Sequence, residues 1–390
     1  MKIVYYEMRK RFFRISALIL LIILTLLNIV RIYDLSRTRY TFTAGDFHEP
    51  YFRLYNTVCG ELSEEKLSPF RARADELREI VRGHSYSTGY EPEKYEYTGY
   101  CFGDFNLYNT FIGREITYCG TYPNTSNQIV VNAYDNYQTF ISVGNVYEAE
   151  KSVMIYKAFQ NRNIPEYRAT YWTNLFFNYD FSSLLCVIML IFCLSSSFTN
   201  EKTSGMKNLI SAYGKKVVTI RAKIISAALC CIILTVYFTV CDLLTVHVLL
   251  GIDGLDMPLY SAEFFKFSPY NFSFTSAIVL WGAQRFAALF AISMIVLLIS
   301  KLSPNVIISM MLNFAAIIGL ILITIFSDSV FDPIRSLIPS SFIQEFAVVN
   351  ICGKPVTALL AAFAALAAEC VVFCFVIGYS GGRRNDKNRV

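Results

Sequence analysis

Six apolar stretches divide this chain: Ile15–Tyr33, Phe181–Phe198, Ile224–Leu250, Thr275–Ser300, Val306–Phe326 and Val356–Tyr379. Each can reach the roughly 20 apolar residues (range ~17–25) that a helix needs to cross hydrocarbon. A bilayer core offers no water to backbone amides and carbonyls, so spans of this kind must be helices. The sequence therefore predicts a polytopic α-helical membrane protein with six transmembrane helices.

The charges between the stretches set an orientation. With the N-terminus inside, the inner segments are 1–14, 199–223, 301–305 and 380–390. They hold 16 of the 35 basic residues and only three acidic ones, Glu7, Glu201 and Asp386. The two short outer loops, 251–274 and 327–355, hold 3 basic and 6 acidic residues. This asymmetry predicts both termini on the cytoplasmic side of a cell membrane. The net charge of +5 is then inner-face topology and implies no nucleic-acid partner. The first stretch has the basic flank of a signal peptide. It is long for one, however, and no small-residue cleavage site follows Arg31, so it is expected to be retained as a span.

The chain then divides into an N-terminal segment and first span (1–33), a large extracellular domain (34–179) and the remaining spans with their inner loop (180–390). The 34–179 segment carries 18 acidic and 14 basic residues, as suits a solvated domain. Leu62, Leu67, Phe70, Leu77, Ile80 and Val81 recur among charges and predict one or two amphipathic helices, broken near Pro69. From Tyr95 to Tyr156, Tyr, Phe, Thr, Val and Ile dominate between turn signals. That composition predicts several short strands, and with the helices an α+β domain.

Seven of the eleven cysteines fall in spans, where they act as small apolar residues. Of the four outside, Cys101 and Cys119 flank a strand-like region, and an oxidising exterior permits a disulfide between them; Cys59 is left free or paired with Cys352. The three histidines are far apart and no Cys-x-x-Cys occurs, so no metal site is expected. There is no Gly-x-x-x-x-Gly-Lys-Ser/Thr loop, no Gly-x-Ser-x-Gly and no His-Glu-x-x-His. The chain is expected to bind no cofactor and to be no enzyme.

The inner loop 199–223 is the informative motif. Met206, Leu209 and Ile210 form a short amphipathic segment beside Glu201, Lys202 and Gly205. Thr203 or Ser204 can cap it and Gly214 can end it. Such a helix across the mouth of the spans is a handle for an inner partner. The alternative is a basic loop on anionic lipid headgroups.

This loop resembles that of permeases of ATP-binding-cassette exporters with the type-2 transmembrane domain. Phe198, Glu201, Lys202, Gly205, Leu209, Gly214 and Lys223 follow that family's pattern in order, and Tyr213 departs from it. Residues 1–14 also resemble the family's interfacial connecting helix, and a large ectodomain after the first of six spans matches its layout. The resemblance implies a permease subunit that pairs with a second permease, identical or related. Separate ATPase subunits would carry ATP and Mg and grip a coupling helix near 202–213. It also implies a re-entrant outer segment in 327–355, with a short helix at 339–346 capped by Ser340 or Ser341. No strongly polar pathway is visible, which favours amphiphilic cargo. The other class of reading is a membrane-anchored sensor or assembly protein whose ectodomain binds a ligand.

Three charges fall inside spans: Asp242, Arg285 and Glu369. Lone charges at that depth are costly and usually pair or face a cavity. Arg285 is expected to pair with Glu369 or Asp242, or else to meet cargo. The alanines of 358–368 are expected to form a close-packing helix face.

Overall fold

The computed structural model describes residues 2–39, 48–83, 88–168, 171–212, 216–327, 329, 332–338 and 340–379. Among the described residues six helices are long and apolar enough to cross a membrane: Ile15–Ser36, Trp172–Thr203, Val217–Leu250, Phe274–Leu302, Val306–Phe326 and Ala358–Gly378. They coincide with the six apolar stretches, so the protein is a polytopic helical membrane protein. The third helix starts earlier than the apolar run, because Lys216 to Lys223 continue it below the apolar limit.

The second span is the hub. Of its most apolar window 78% is buried inside the protein, against 17% for the fifth. The first, third, fourth and fifth spans all pack on it, and the sixth packs on the fourth. Within the alanine run of the sixth span Ala358, Ala361 and Ala362 are buried, whereas Ala364, Ala367 and Ala368 are exposed. The second span is interrupted: helix Tyr171–Phe177 ends, the chain turns through residues 178–180, and helix Phe181–Leu194 continues. An amphipathic helix, Lys2–Arg11, precedes the first span and packs on the third.

The described residues of the 34–179 insert are predominantly helical rather than α+β. Their helices are His48–Val58, Glu64–Arg82, Cys101–Phe105, Ile112–Ser142, Val146–Phe159 and Tyr171–Phe177, and the one sheet among the described residues of the insert pairs Gly60–Glu61 with Glu166–Tyr167. The strands expected between Tyr95 and Tyr156 are replaced by an antiparallel helical hairpin. β-Propensity reflects a half-buried pleated surface more than a backbone preference, and here periodicity overrides it. Ile112, Ile116, Cys119, Tyr122, Ser126 and Ala133 are the buried positions, and their spacing is helical. Gly144 and Asn145 form a turn, and it joins two helices. Gly144 takes φ 71°, and Asn145 Oδ1 caps the next helix by accepting from the Glu148 amide at 3.2 Å. Pro69 does not break its helix; it sits inside Glu64–Arg82.

The insert seats on the 251–274 loop between the third and fourth spans. Arg162 donates to the Ser268 carbonyl at 2.8 Å and to Asn271 Oδ1 at 2.8 Å. Tyr118 donates to the Tyr260 carbonyl at 2.7 Å, and Trp172 Nε1 to the Asp253 carbonyl at 2.9 Å. In the 327–357 segment the short helix expected at 339–346 is absent: residues 340–345 form turns and bends, and Pro339 lies outside the described residues. An antiparallel hairpin, Val348–Ile351 with Lys354–Thr357, leads into the sixth span instead. Among the described strands, these two hairpin arms are the longest.

Candidate functional site

The loop after the second span folds as two short helices, Thr199–Thr203 and Met206–Ala212. Gly205 joins them at φ 71°, a left-handed conformation that L side chains rarely adopt. The single coupling helix expected near 202–213 is thus broken at Gly205. Ser204 does not cap the second helix: its hydroxyl donates back to the Asn200 carbonyl at 2.6 Å and closes the first. Gly214, Tyr213 and Lys215 lie outside the described residues.

The two halves of the loop differ in character. On the second helix Met206 is 42% and Leu209 59% exposed, with Ile210 half-buried. The first helix is bound into the bundle. Lys202 Nζ donates to the Lys301 carbonyl and, at 2.7 Å, to the Ser303 carbonyl, where the free C-terminal carbonyls of the fourth span attract a cation. Glu201 Oε1 receives Lys223 Nζ at 2.5 Å.

Lys223 is the centre of a buried ion quartet. Its ammonium also donates to the Ser197 carbonyl at 2.5 Å, lies 3.5 Å from Glu7 Oε1, and stands 4.9 Å from the centre of the Phe198 ring. Glu7 pairs with Arg11 one helical turn later, and Arg11 donates to the Ser197 hydroxyl and, at 3.1 Å, to its carbonyl. Two cations and two carboxylates thereby balance where the N-terminal helix, the end of the second span and the start of the third converge. Buried charges persist only when paired and hydrogen-bonded in this way. Three successive serines at the end of the second span complete the junction. The Ser195 carbonyl accepts from Ser300 at 2.8 Å and Ser309 at 2.9 Å, and the Ser195 hydroxyl accepts from Asn313 at 3.0 Å.

A second polar network joins the spans at Asp242 and Arg285. Arg285 Nη1 is 3.6 Å from Asp242 Oδ2, and both side chains are buried. Of the two pairings expected for Arg285, the structure forms the one with Asp242. Ser182 donates to Asp242 Oδ2 at 2.6 Å and Asn28 to Oδ1 at 2.7 Å; Arg285 Nη2 donates to Ser182 at 3.1 Å. Tyr179 donates to Asn28 Oδ1 at 2.6 Å. Four spans are stitched together here, and the carboxylate has an ionic partner and two hydrogen-bond donors. Glu369 is apart from it and half-buried, and its Oε2 has no hydrogen-bond partner among the described residues.

Cys101 and Cys119 are both buried free thiols, so the disulfide expected between them is not formed. Cys101 opens one helix and Cys119 lies in the longer helix that follows; the strand-like region they were expected to flank does not exist. Burial pushes the Cys119 thiol up to about 12, which disfavours the thiolate that disulfide chemistry needs. Cys59 and Cys352 are free as well. No cluster of metal-ligating side chains occurs among the described residues.

Sequence reading singled out Glu201, Lys202 and Gly205 but missed Glu7, Arg11 and Ser195–Ser197 as their partners. The signals were present: an i, i+4 Glu–Arg pair in an amphipathic helix, and a triple serine closing an apolar span. Asn28, Ser182 and Tyr179 carried no comparable signal, since only the packing brings them to Asp242. Comparison with models of protein families, with curated proteins and with solved structures gave no match.

Proposed function

We propose that this chain is the permease subunit of an ATP-binding-cassette exporter of the type-2 transmembrane class. It would sit in the cell membrane with both termini cytoplasmic, the 34–179 insert outside, and an amphiphilic cargo. A second permease would complete the path, and separate ATPase subunits would bind ATP and Mg.

The observation that carries this reading is the split character of the 199–212 loop. Its tip, with Met206 and Leu209, presents apolar side chains away from the bundle, which suits a docking handle for another protein. Its base is fastened by Glu201 to the third span and by Lys202 to the end of the fourth. A displacement of the tip would be passed to those spans through buried ion pairs and hydrogen bonds. A loop that merely rested on lipid headgroups would gain nothing from burying Glu201 against Lys223. The insert, seated on the loop between the same two spans, would follow their movement on the opposite face.

Co-purification of the tagged chain from its native host in mild detergent, with mass spectrometry of the bound proteins, tests the reading. An ATP-binding-cassette ATPase retained by the wild type and lost with Leu209→Asp supports it. A stable preparation at native expression with no ATPase would overturn it in favour of a ligand-binding membrane sensor or assembly protein.

A further inference from the structure

A cavity of about 740 Å³ lies where the insert meets the two loops on its own side of the spans. That volume suits a ligand of drug-like size. Its walls come from distant parts of the chain: Leu35 at the end of the first span, Glu115 of the insert, Leu175 of the helix entering the second span, Ser261 between the third and fourth, and Glu345 between the fifth and sixth.

Two polar groups on this wall are left with unused capacity. Ser261 is 3% exposed, and its hydroxyl has no hydrogen-bond partner among the described residues. A buried hydroxyl without a partner is destabilising, so its position on a cavity wall points to a ligand. Glu115 accepts from Tyr167 at 2.6 Å and Tyr51 at 3.2 Å, both on Oε2. Neither bond uses its Oε1.

The charges choose the class of ligand. Three carboxylates, Glu115, Glu263 and Glu345, line the cavity with two cations, Arg114 and Lys266. Arg114 is spent on Glu263 through two bonds of 2.7 and 3.0 Å, and Lys266 lies 4.8 Å from the centre of the Phe267 ring. Phe111, Tyr118 and Phe264 give the wall aromatic faces, beside Thr110, Asn174 and Gln344. A carboxylate set among aromatic faces is the arrangement that favours an organic cation.

The backbone here is also unusual. Residues Asn106–Phe111 form a π-helical turn directly before Ile112–Ser142. Such turns shift the register of a helix by one residue and are frequent at functional sites. This one precedes Glu115 by four residues.

We propose that this cavity binds an organic ammonium with an apolar body, with the Glu115 carboxylate as counter-ion, the Ser261 hydroxyl as hydrogen-bond acceptor and the aromatic wall holding the apolar part. The site does not depend on an ATPase at the opposite face, so binding is measured on the chain alone.

The test is a fluorescence titration of the full chain in phosphatidylcholine nanodiscs at pH 8. The probe is dansylcadaverine, an aromatic body with a primary ammonium. Dansylamide, which lacks the ammonium, and dansylglycine, which carries a carboxylate, are the comparators. Saturable binding of the ammonium probe about tenfold or more tighter than either comparator is expected. Glu115→Gln should weaken it by about tenfold, and Ser261→Trp, which fills the cavity, should abolish it. Dansylamide binding as tightly as dansylcadaverine would mean bilayer partitioning only, and tighter dansylglycine binding would mean an anion site on Lys266; either overturns the proposal. If Glu115→Gln fails to fold, undiminished binding by Ser261→Trp overturns it equally.

Discussion

Lys223 Nζ lies 2.5 Å from Glu201 Oε1 and its side chain is fully buried. The contact fastens the first turns of the third span to the loop that ends the second. With Glu7 and Arg11 it makes the N-terminal helix, the loop and both spans a single electrostatic unit. A buried pair is expensive to half-dismantle, because the surviving charge keeps its desolvation penalty and loses its partner.

Lys223→Met is therefore expected to destabilise the protein by about 3–5 kcal/mol, since it leaves Glu201 facing the bundle without a cation. Glu201→Gln should cost less, because Lys223 retains Glu7 and the Ser197 carbonyl. Thermal unfolding of the purified variants in detergent measures both. Adding Glu201→Gln to Lys223→Met should cost less than the sum of the single changes, giving a coupling of about 0.5–3 kcal/mol. Strict additivity would show that the two groups do not interact.

Arg285 supplies an independent contrast. Arg285→Ala strands the Asp242 carboxylate among Ser182 and Asn28 and should cost about 3–5 kcal/mol. Glu369→Gln removes a half-buried carboxylate whose Oε2 has no partner among the described residues, and should be neutral or mildly stabilising. Yield of folded protein from membranes and midpoints of thermal unfolding decide the matter. A Glu369→Gln variant as damaged as Arg285→Ala would place the ionic partner elsewhere.

The membrane part of this fold was legible because burial in lipid demands one pattern, a long apolar run, whatever the packing inside. Arg285 and Asp242 were legible for the same reason, as charges that hydrocarbon does not tolerate alone. The insert is less legible, because Tyr, Thr, Val and Ile between residues 95 and 156 carry a β-propensity that conflicts with their spacing. The helical spacing from Ile112 to Ala133 was the stronger signal. Glu7 and Ser197 carry local signals in the sequence, but the chain alone does not say which faces of three helices meet, so their pairing with Lys223 comes only from the packing. The cavity beside Glu115 is assembled from six separated segments and has no sequence signature.

Gly113 and Gly120, both in the helix after the π turn, should respond in opposite ways to alanine. A Cβ on Gly113 would lie 1.9 Å from the Tyr108 carbonyl oxygen, a backbone atom that cannot move aside cheaply. Gly113→Ala is expected to cost about 2 kcal/mol or more and to disturb the π turn. A Cβ on Gly120 meets nothing within 4 Å. Gly120→Ala should then stabilise by about 0.4–1 kcal/mol, by reducing the freedom of the unfolded chain. Thermal unfolding of the pair tests whether the π turn is held by this glycine.

Glu115 predicts a pH dependence whose sign is set by burial. Desolvation raises its carboxyl to about 7; the hydroxyls of Tyr167 and Tyr51 oppose the rise, Glu263 adds to it and Arg114 subtracts from it. Cys119, one turn along the helix, stays protonated throughout. The folded carboxyl holds its proton more tightly than the unfolded one, whose ordinary value is 4.5. The stabilisation is therefore complete below about pH 4.5 and is lost as pH rises through about 7, with a slope of at most about 1.4 kcal/mol per pH unit. Glu115→Gln keeps a hydrogen-bond acceptor for the tyrosines without the titration, so its stability relative to wild type should improve as pH rises from 5 to 8. Unfolding midpoints of the two proteins across that range give the answer. A constant difference between them would mean that Glu115 is ionised throughout, as an exposed carboxylate would be.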